Sequence, residues 1–167
     1  FVEDFRNILI LSPQQELSQS AMATLQAALK RGIEQTFQIE DGELACEPLP
    51  DSDHRRRFLF YEAAEGGAGV LTRLANEPEQ LAAVASQALE LMHFKASGES
   101  WDYDNLANQE MKTDQGKRLC EAGCYLCLLS YYNQPDHAII NRQDEEVLKM
   151  LVTLANADVR PVISHSV

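Results

Sequence analysis

The chain is 167 residues long, 45% hydrophobic and 24% charged, with a formal net charge of −12 at pH 7. A chain of this size buries a core of its own, so neither disulfides nor a metal is required simply to fold it. No apolar run approaches the roughly 18 residues of a membrane-spanning helix, and the acidic balance argues against strong nucleic-acid binding by this segment alone, because affinity for phosphate comes mainly from Lys and Arg.

The sequence opens on Phe1-Val2-Glu3-Asp4, without an initiator methionine or a basic-then-apolar leader. That start is expected of a cytoplasmic fragment cut from a larger protein, folding as one domain over residues 1–167. Asn7–Leu11 is a short continuous apolar run and reads as a buried strand. Ser12-Pro13-Gln14-Gln15 looks like a helix start, with Ser12 as N-cap, Pro13 at the first helical position and Gln15 closing a capping box. Leu17, Ala21, Leu25, Ala28 and Leu29 recur at helical spacing, and Gly32 predicts the C-cap. A period-two pattern follows, with Phe37 and Ile39 on one strand, Leu44 and Cys46 on the next, and Asp41-Gly42 as a two-residue hairpin turn. Cys46 then shares a face with Leu44 and is a small core residue rather than a ligand. Pro48–Arg56 is a loop, and the basic run His54–Arg57 reads as solvated charge. Arg57–Glu62 is apolar on both faces and predicts a central strand.

That strand runs into a glycine turn, Ala63–Gly69, and then into a helix from Val70. Strand, glycine turn and helix together can present free backbone N–H groups to an anion. Here the Walker ending is absent, no lysine follows the glycines, and Glu62 and Glu65 would repel phosphate. The glycines are therefore read as permitting left-handed turns and tight packing. A second helix is capped at Asn76–Glu79, and its stripe of Leu81, Val84, Ala85, Ala88, Leu91 and Met92 fits helical spacing. Ala88 is the smallest side chain on that stripe, so a neighbour is expected to pack close there. Residues 95–117 form a long polar loop with Trp101 and Tyr103 embedded and room for one short helix. Gln143–Ala155 is helical by pattern, and Val159–Ile163 is a last strand. The fold class that follows is α/β. A small mixed sheet carries the Asp-Gly hairpin, helices from Pro13, Pro78 and Gln143 cover it, and a Cys-rich segment occupies residues 119–142.

That segment holds three of the four cysteines at Cys120-x3-Cys124-x2-Cys127. Three thiols this close cannot all pair with one another, and without a secretory signal a metal site is favoured over a disulfide framework. Thiolates bind zinc tetrahedrally, so a fourth ligand is needed. His137 is nearest in sequence and is taken as that ligand, with His93, His165 and Cys46 as the other options. The alternative is three reduced thiols packed beside Leu126, Leu128 and Leu129. A catalytic zinc would need an open position and a nearby base, and only Glu121 is close in sequence. A metal-dependent nuclease would draw on Asp51 with Glu110 and Lys112, fragments of an acidic-plus-lysine pattern that lie far apart. Tyr131-Tyr132-Asn133-Gln134 could stack on bases, but core packing and capping explain it more simply.

Taken together, the apolar strand, YEAAEGGAGVL, the following helix, C-x3-C-x2-C and the Asn-Arg ending resemble the zinc-cysteine domain of unknown function at the C-terminus of DEAD/DEAH-box helicases, the MrfA-like family. The details CYLCLLSYYNQPDH and TLQAALKRGIE are most similar to its DrmB branch, from the DISARM anti-phage system. The resemblance implies zinc as cofactor, held by Cys120, Cys124 and Cys127. Family cysteines expected at Arg118 and Asn133 are absent here, which is why His137 is drawn in. It further implies a non-catalytic module with no ATP site. The module would accompany a helicase motor domain or subunit in antiviral defence or repair, and would reach DNA through the full assembly, with weak nucleic-acid binding of its own and no membrane.

Overall fold

The structure, a computed structural model, describes residues 6–64, 67–77, 79–109 and 120–157. A three-stranded antiparallel sheet in the order β1-β3-β2 is built from β1 (Ile8–Leu11), β2 (Leu44–Pro50) and β3 (Arg55–Glu62). The strand expected to be central is central, and the sheet is wholly antiparallel where a mixed one was expected. Phe58 and Phe60 point into the core, while β1 presents Ile8 and Ile10 to the outside, so the sheet is buried on one face.

The hairpin is not where the Asp-Gly pair predicts it. Asp41–Glu43 is a single 3-10 turn held by the Lys30 ammonium, which donates to both the carbonyl and the carboxylate of Asp41. Phe37 belongs to the preceding helix, and the true hairpin joins β2 to β3. Its turn is closed by Asp51, whose Oδ1 accepts from the backbone of Asp53 and His54 at 2.9 Å each. An aspartate folding back onto the amides that follow it is a turn signal in its own right.

Helix α1 (Gln19–Phe37) lies against the sheet's inner face. It starts later than Pro13 because Ser18 is the better cap. The Ser18 hydroxyl accepts from Ala21 N at 3.1 Å, and its own N–H reaches Glu146 on the last helix at 3.2 Å. It also runs past Gly32, which is interior rather than terminal. A Cβ on Gly32 would lie 2.5 Å from the carbonyl oxygen of Val84 and 3.3 Å from Ala88. Glycine there lets α1 and α3 (Glu79–Leu91) approach closely, at the small residue of the α3 stripe. Helix α5 (Glu145–Ala155) packs against both. Between them α4 (Tyr103–Ala107) is the one short helix within the described part of the polar loop. Trp101 anchors that loop, donating from Nε1 to Ser86 and exchanging backbone bonds with the Asn156 side chain. The predicted strand Val159–Ile163 lies outside the described residues.

Helix α2 (Val70–Asn76) follows the glycine turn, and the turn is already filled. Glu62 Oε1 accepts from Ala68 N at 2.9 Å and Val70 N at 3.2 Å, while Oε2 accepts from Asn7 at 2.9 Å. A Cβ on Gly67, which has φ +45°, would stand 2.8 Å from that carboxylate. The protein's own anion therefore takes the seat that a phosphate would need. Glu62→Ala is expected to lower unfolding stability by about 2–3 kcal/mol, since buried amides lose a charged acceptor. A denaturant series would show it as an earlier midpoint at unchanged slope.

Candidate metal centre

The Cys-rich segment is held against α1 along its length. Arg31 donates to Leu129 O at 3.0 Å, Ser20 to Ile139 O at 2.6 Å, and Asn141 N donates to Thr24 Oγ1 at 3.0 Å. At its start Cys124–Cys127 makes a tight knuckle. The N–H groups of Cys127 and Leu129 both donate to Cys124 O at 3.0 Å, and Cys124 N donates to the Cys127 sulfur at 3.2 Å. Among its described residues the segment has a 3-10 turn at Tyr131–Asp136 but no α-helix, and around the cysteines its amides can point at sulfur.

Three sulfurs and one imidazole nitrogen converge there. Cys120 and Cys127 Sγ are 3.8 Å apart, Cys124 and Cys127 Sγ 3.6 Å, and His93 Nε2 lies 3.3 Å from Cys124 Sγ. The four donor atoms all fall within 4.8 Å of one another. A zinc tetrahedron with metal–sulfur bonds of about 2.3 Å has sulfur–sulfur edges of about 3.8 Å and nitrogen–sulfur edges of about 3.6 Å. The Cys120–Cys127 and Cys124–Cys127 spacings match those edges, the His93–Cys124 distance is slightly shorter, and the chemistry of three thiols plus one imidazole is a zinc donor set.

His93 reaches the cluster through an unusual helix ending. After α3, His93 N donates to Glu90 O at 3.0 Å and Phe94 N to Leu89 O at 3.1 Å. That pair of bonds is a Schellman cap, and its left-handed position is usually glycine. Here the left-handed residue is His93 itself, at φ +71°. Left-handed backbone at a non-glycine residue costs energy, and at His93 it accompanies an imidazole set beside the thiols.

The surroundings prepare these donors unequally. Burial, then the neighbouring Cys127, pushes the Cys120 thiol up to about 12. Burial also raises Cys127. His93 moves the other way, lowered first by burial and then by the charge of Arg142. An imidazole with a lowered pKa is neutral at neutral pH, the form that ligates metal. Its competition with protons is thus weak, and the protons displaced on metal capture come from thiols.

The structure brings Cys120, Cys124 and Cys127 together and sets His93, not His137, beside them. His137 Nε2 instead faces two acceptors, Ser130 O at 3.0 Å and Asn133 Oδ1 at 2.8 Å, and its ring packs edge-on against Tyr125. Asn133 is itself a cap, donating to Leu128 O and accepting from Ser130 N. Cys46 sits on β2 away from the cluster. His165, Arg118, Glu110 and Lys112 lie outside the described residues. Glu121 is exposed and contributes no carboxylate to the cluster. Tyr131 and Tyr132 are not core residues, being 75% and 64% exposed. Of the basic run, Arg55 is buried and paired with Asp136, not solvated. The sequence carries one overlooked signal for His93: the 13-residue helix α3 ends without a glycine, and a histidine stands where the left-handed cap falls.

No curated protein and no solved structure matches the chain. A family model described as the MrfA Zn-binding domain matches residues 25–128. That stretch exceeds half of the 167 residues and contains His93, Cys120, Cys124 and Cys127, while His137 lies beyond it. With a matching family and a donor set that fits its metal, the chain belongs to the MrfA Zn-binding domain family, and zinc is its cofactor.

Proposed function

We propose that this is a non-catalytic scaffold module of a helicase-associated, DNA-acting protein, pinned by one zinc on His93, Cys120, Cys124 and Cys127. The carrying observation is that four protein donors already crowd within 4.8 Å, enough to complete a tetrahedron without a water. A hydrolytic zinc keeps an open position and a base in reach, and among the described residues the cluster contains no carboxylate. Among the described residues of the glycine turn, the Ala68 and Val70 amides that a phosphate would need are already taken by Glu62. What remains is a shaped, acidic body whose partner is the motor domain or subunit, with DNA gripped elsewhere in the assembly. The family name and the resemblance to the DISARM and repair helicases support that setting. No helix among the described residues is long and apolar enough to cross a membrane.

Metal analysis of the purified chain is expected to return one zinc per chain. Cys127→Ser should abolish it and His137→Ala should leave it intact. Affinity should tighten as pH rises. The metal-free chain carries raised thiol pKa values at Cys120 and Cys127, so it holds protons that zinc must displace, and fewer remain to displace at higher pH. Zinc lost from His137→Ala but retained in His93→Ala would refute this ligand set. A zinc-loaded chain that fails to bind any helicase motor encoded beside it would refute the scaffold role.

A further inference from the structure

Arg142 is among the largest fully buried side chains in the protein, at 2% exposure. Among the described residues its guanidinium donates only to backbone carbonyls: Nε and Nη2 to Cys120 O at 3.3 and 3.2 Å, and Nη1 to Met92 O at 3.3 Å. The carbon of the guanidinium lies 5.1 Å from the Phe94 ring centroid. Arg142 N also donates to Ala122 O at 2.7 Å. Among the described residues, no carboxylate pairs with it. A buried cation without an anion is costly, and proteins rarely keep one unless something compensates it.

The compensation is next door. Met92 and Phe94 flank His93, and Cys120 is itself a donor, so the guanidinium grips the backbone on both sides of the cluster. Zinc brings two positive charges to three thiolates and a neutral imidazole, leaving one negative charge in the interior. We propose that Arg142 is the buried counter-cation and clamp of the zinc–thiolate centre, a positioning residue that holds the His93 turn and the Cys120 backbone in register and neutralises the excess thiolate charge. The inference rests on the zinc reading of the cluster. Outer partners of this kind tune metal affinity as strongly as some ligands do.

The charge role predicts opposite signs in the two metal states. With zinc bound, the guanidinium has its anion in the zinc–thiolate centre; with zinc stripped, no carboxylate among the described residues takes that place. Arg142→Met, made in the whole chain, is expected to weaken zinc binding by about 10–100-fold in competition with a chromogenic chelator. The metal-stripped variant is expected to melt at or above the temperature of the stripped unaltered chain. A side chain that merely fills space would lower both melting temperatures alike and leave zinc affinity unchanged, and that result would overturn the proposal. If Arg142→Met does not fold, Arg142→Gln carries the same test, since it keeps a donor for the carbonyls but no charge. An Arg142→Gln chain that binds zinc as tightly as the unaltered chain would equally overturn it. Failure of the unaltered chain to bind zinc would instead strike the metal reading itself.

Discussion

His93→Gly is expected to weaken zinc binding by a factor of about a hundred or more, while leaving the metal-free chain as stable as before or up to about 1 kcal/mol more stable. The two halves of that result have separate causes. Removing the imidazole deletes one of four donors, and water replaces it poorly in a site built on protein ligands. Removing the Cβ relieves a left-handed residue at φ +71° in a cap that prefers glycine. His93→Ala separates them, since it loses the same donor but keeps the backbone strain. Zinc affinity should fall alike in both variants, and the stripped glycine variant should exceed the stripped alanine variant by about 1 kcal/mol. In zinc-saturated buffer the order of stability reverses against the unaltered chain. A ligand at a thousandfold excess over its dissociation constant contributes about 4 kcal/mol of apparent stability, and both variants forfeit most of it. Titration with a competing chelator and thermal melts with and without metal check each half. Undiminished affinity in His93→Gly would move the fourth ligand elsewhere.

The contrast between His93 and His137 shows what the sequence could reveal here. The cysteine spacing is local, and so was legible: a knuckle needs only the residues that form it. The fourth donor is a long-range contact, fixed by how α3 ends and where α1 lets α3 approach. Proximity in sequence favours His137, but the turn Tyr131–Asp136 consumes that ring in capping bonds before it can reach sulfur. Gly32 misled for a related reason. Glycine signals a helix end when backbone freedom is needed and a close crossing when space is needed, and only the position of Val84 decides between them. The central strand and the α3 stripe were readable because burial imposes periodicity on them. The Asp41-Gly42 turn was not, because Lys30, eleven residues earlier, recruits Asp41 into a different turn.

Asp136→Ala is the second large expected effect, a loss of about 2–4 kcal/mol of unfolding stability. Arg55 and Asp136 form a two-point pair, Nη2 to Oδ1 at 2.6 Å and Nη1 to Oδ2 at 3.1 Å, with the arginine side chain 3% exposed and the carboxylate 18%. Arg55 is further tied down by Ser52 O at Nε and, through its backbone, by the Gln19 side chain. It cannot swing out to water when its partner goes, so the variant strands a buried cation. The partial exposure of Asp136 keeps the loss toward the lower end of the range, because solvent already screens one side of the pair. Position matters as much as charge. The pair joins the start of β3 to the stretch between the last cysteine and Arg142, so it holds the sheet against the metal-bearing segment. The decisive comparison is the double variant. Arg55→Met with Asp136→Ala removes both charges, and it should be more stable than Asp136→Ala alone, because an apolar replacement costs less than an orphaned ion. If the double variant is instead the less stable of the two, Arg55 contributes mainly through packing and its bond to Ser52, and the ion pair is not what joins the two parts.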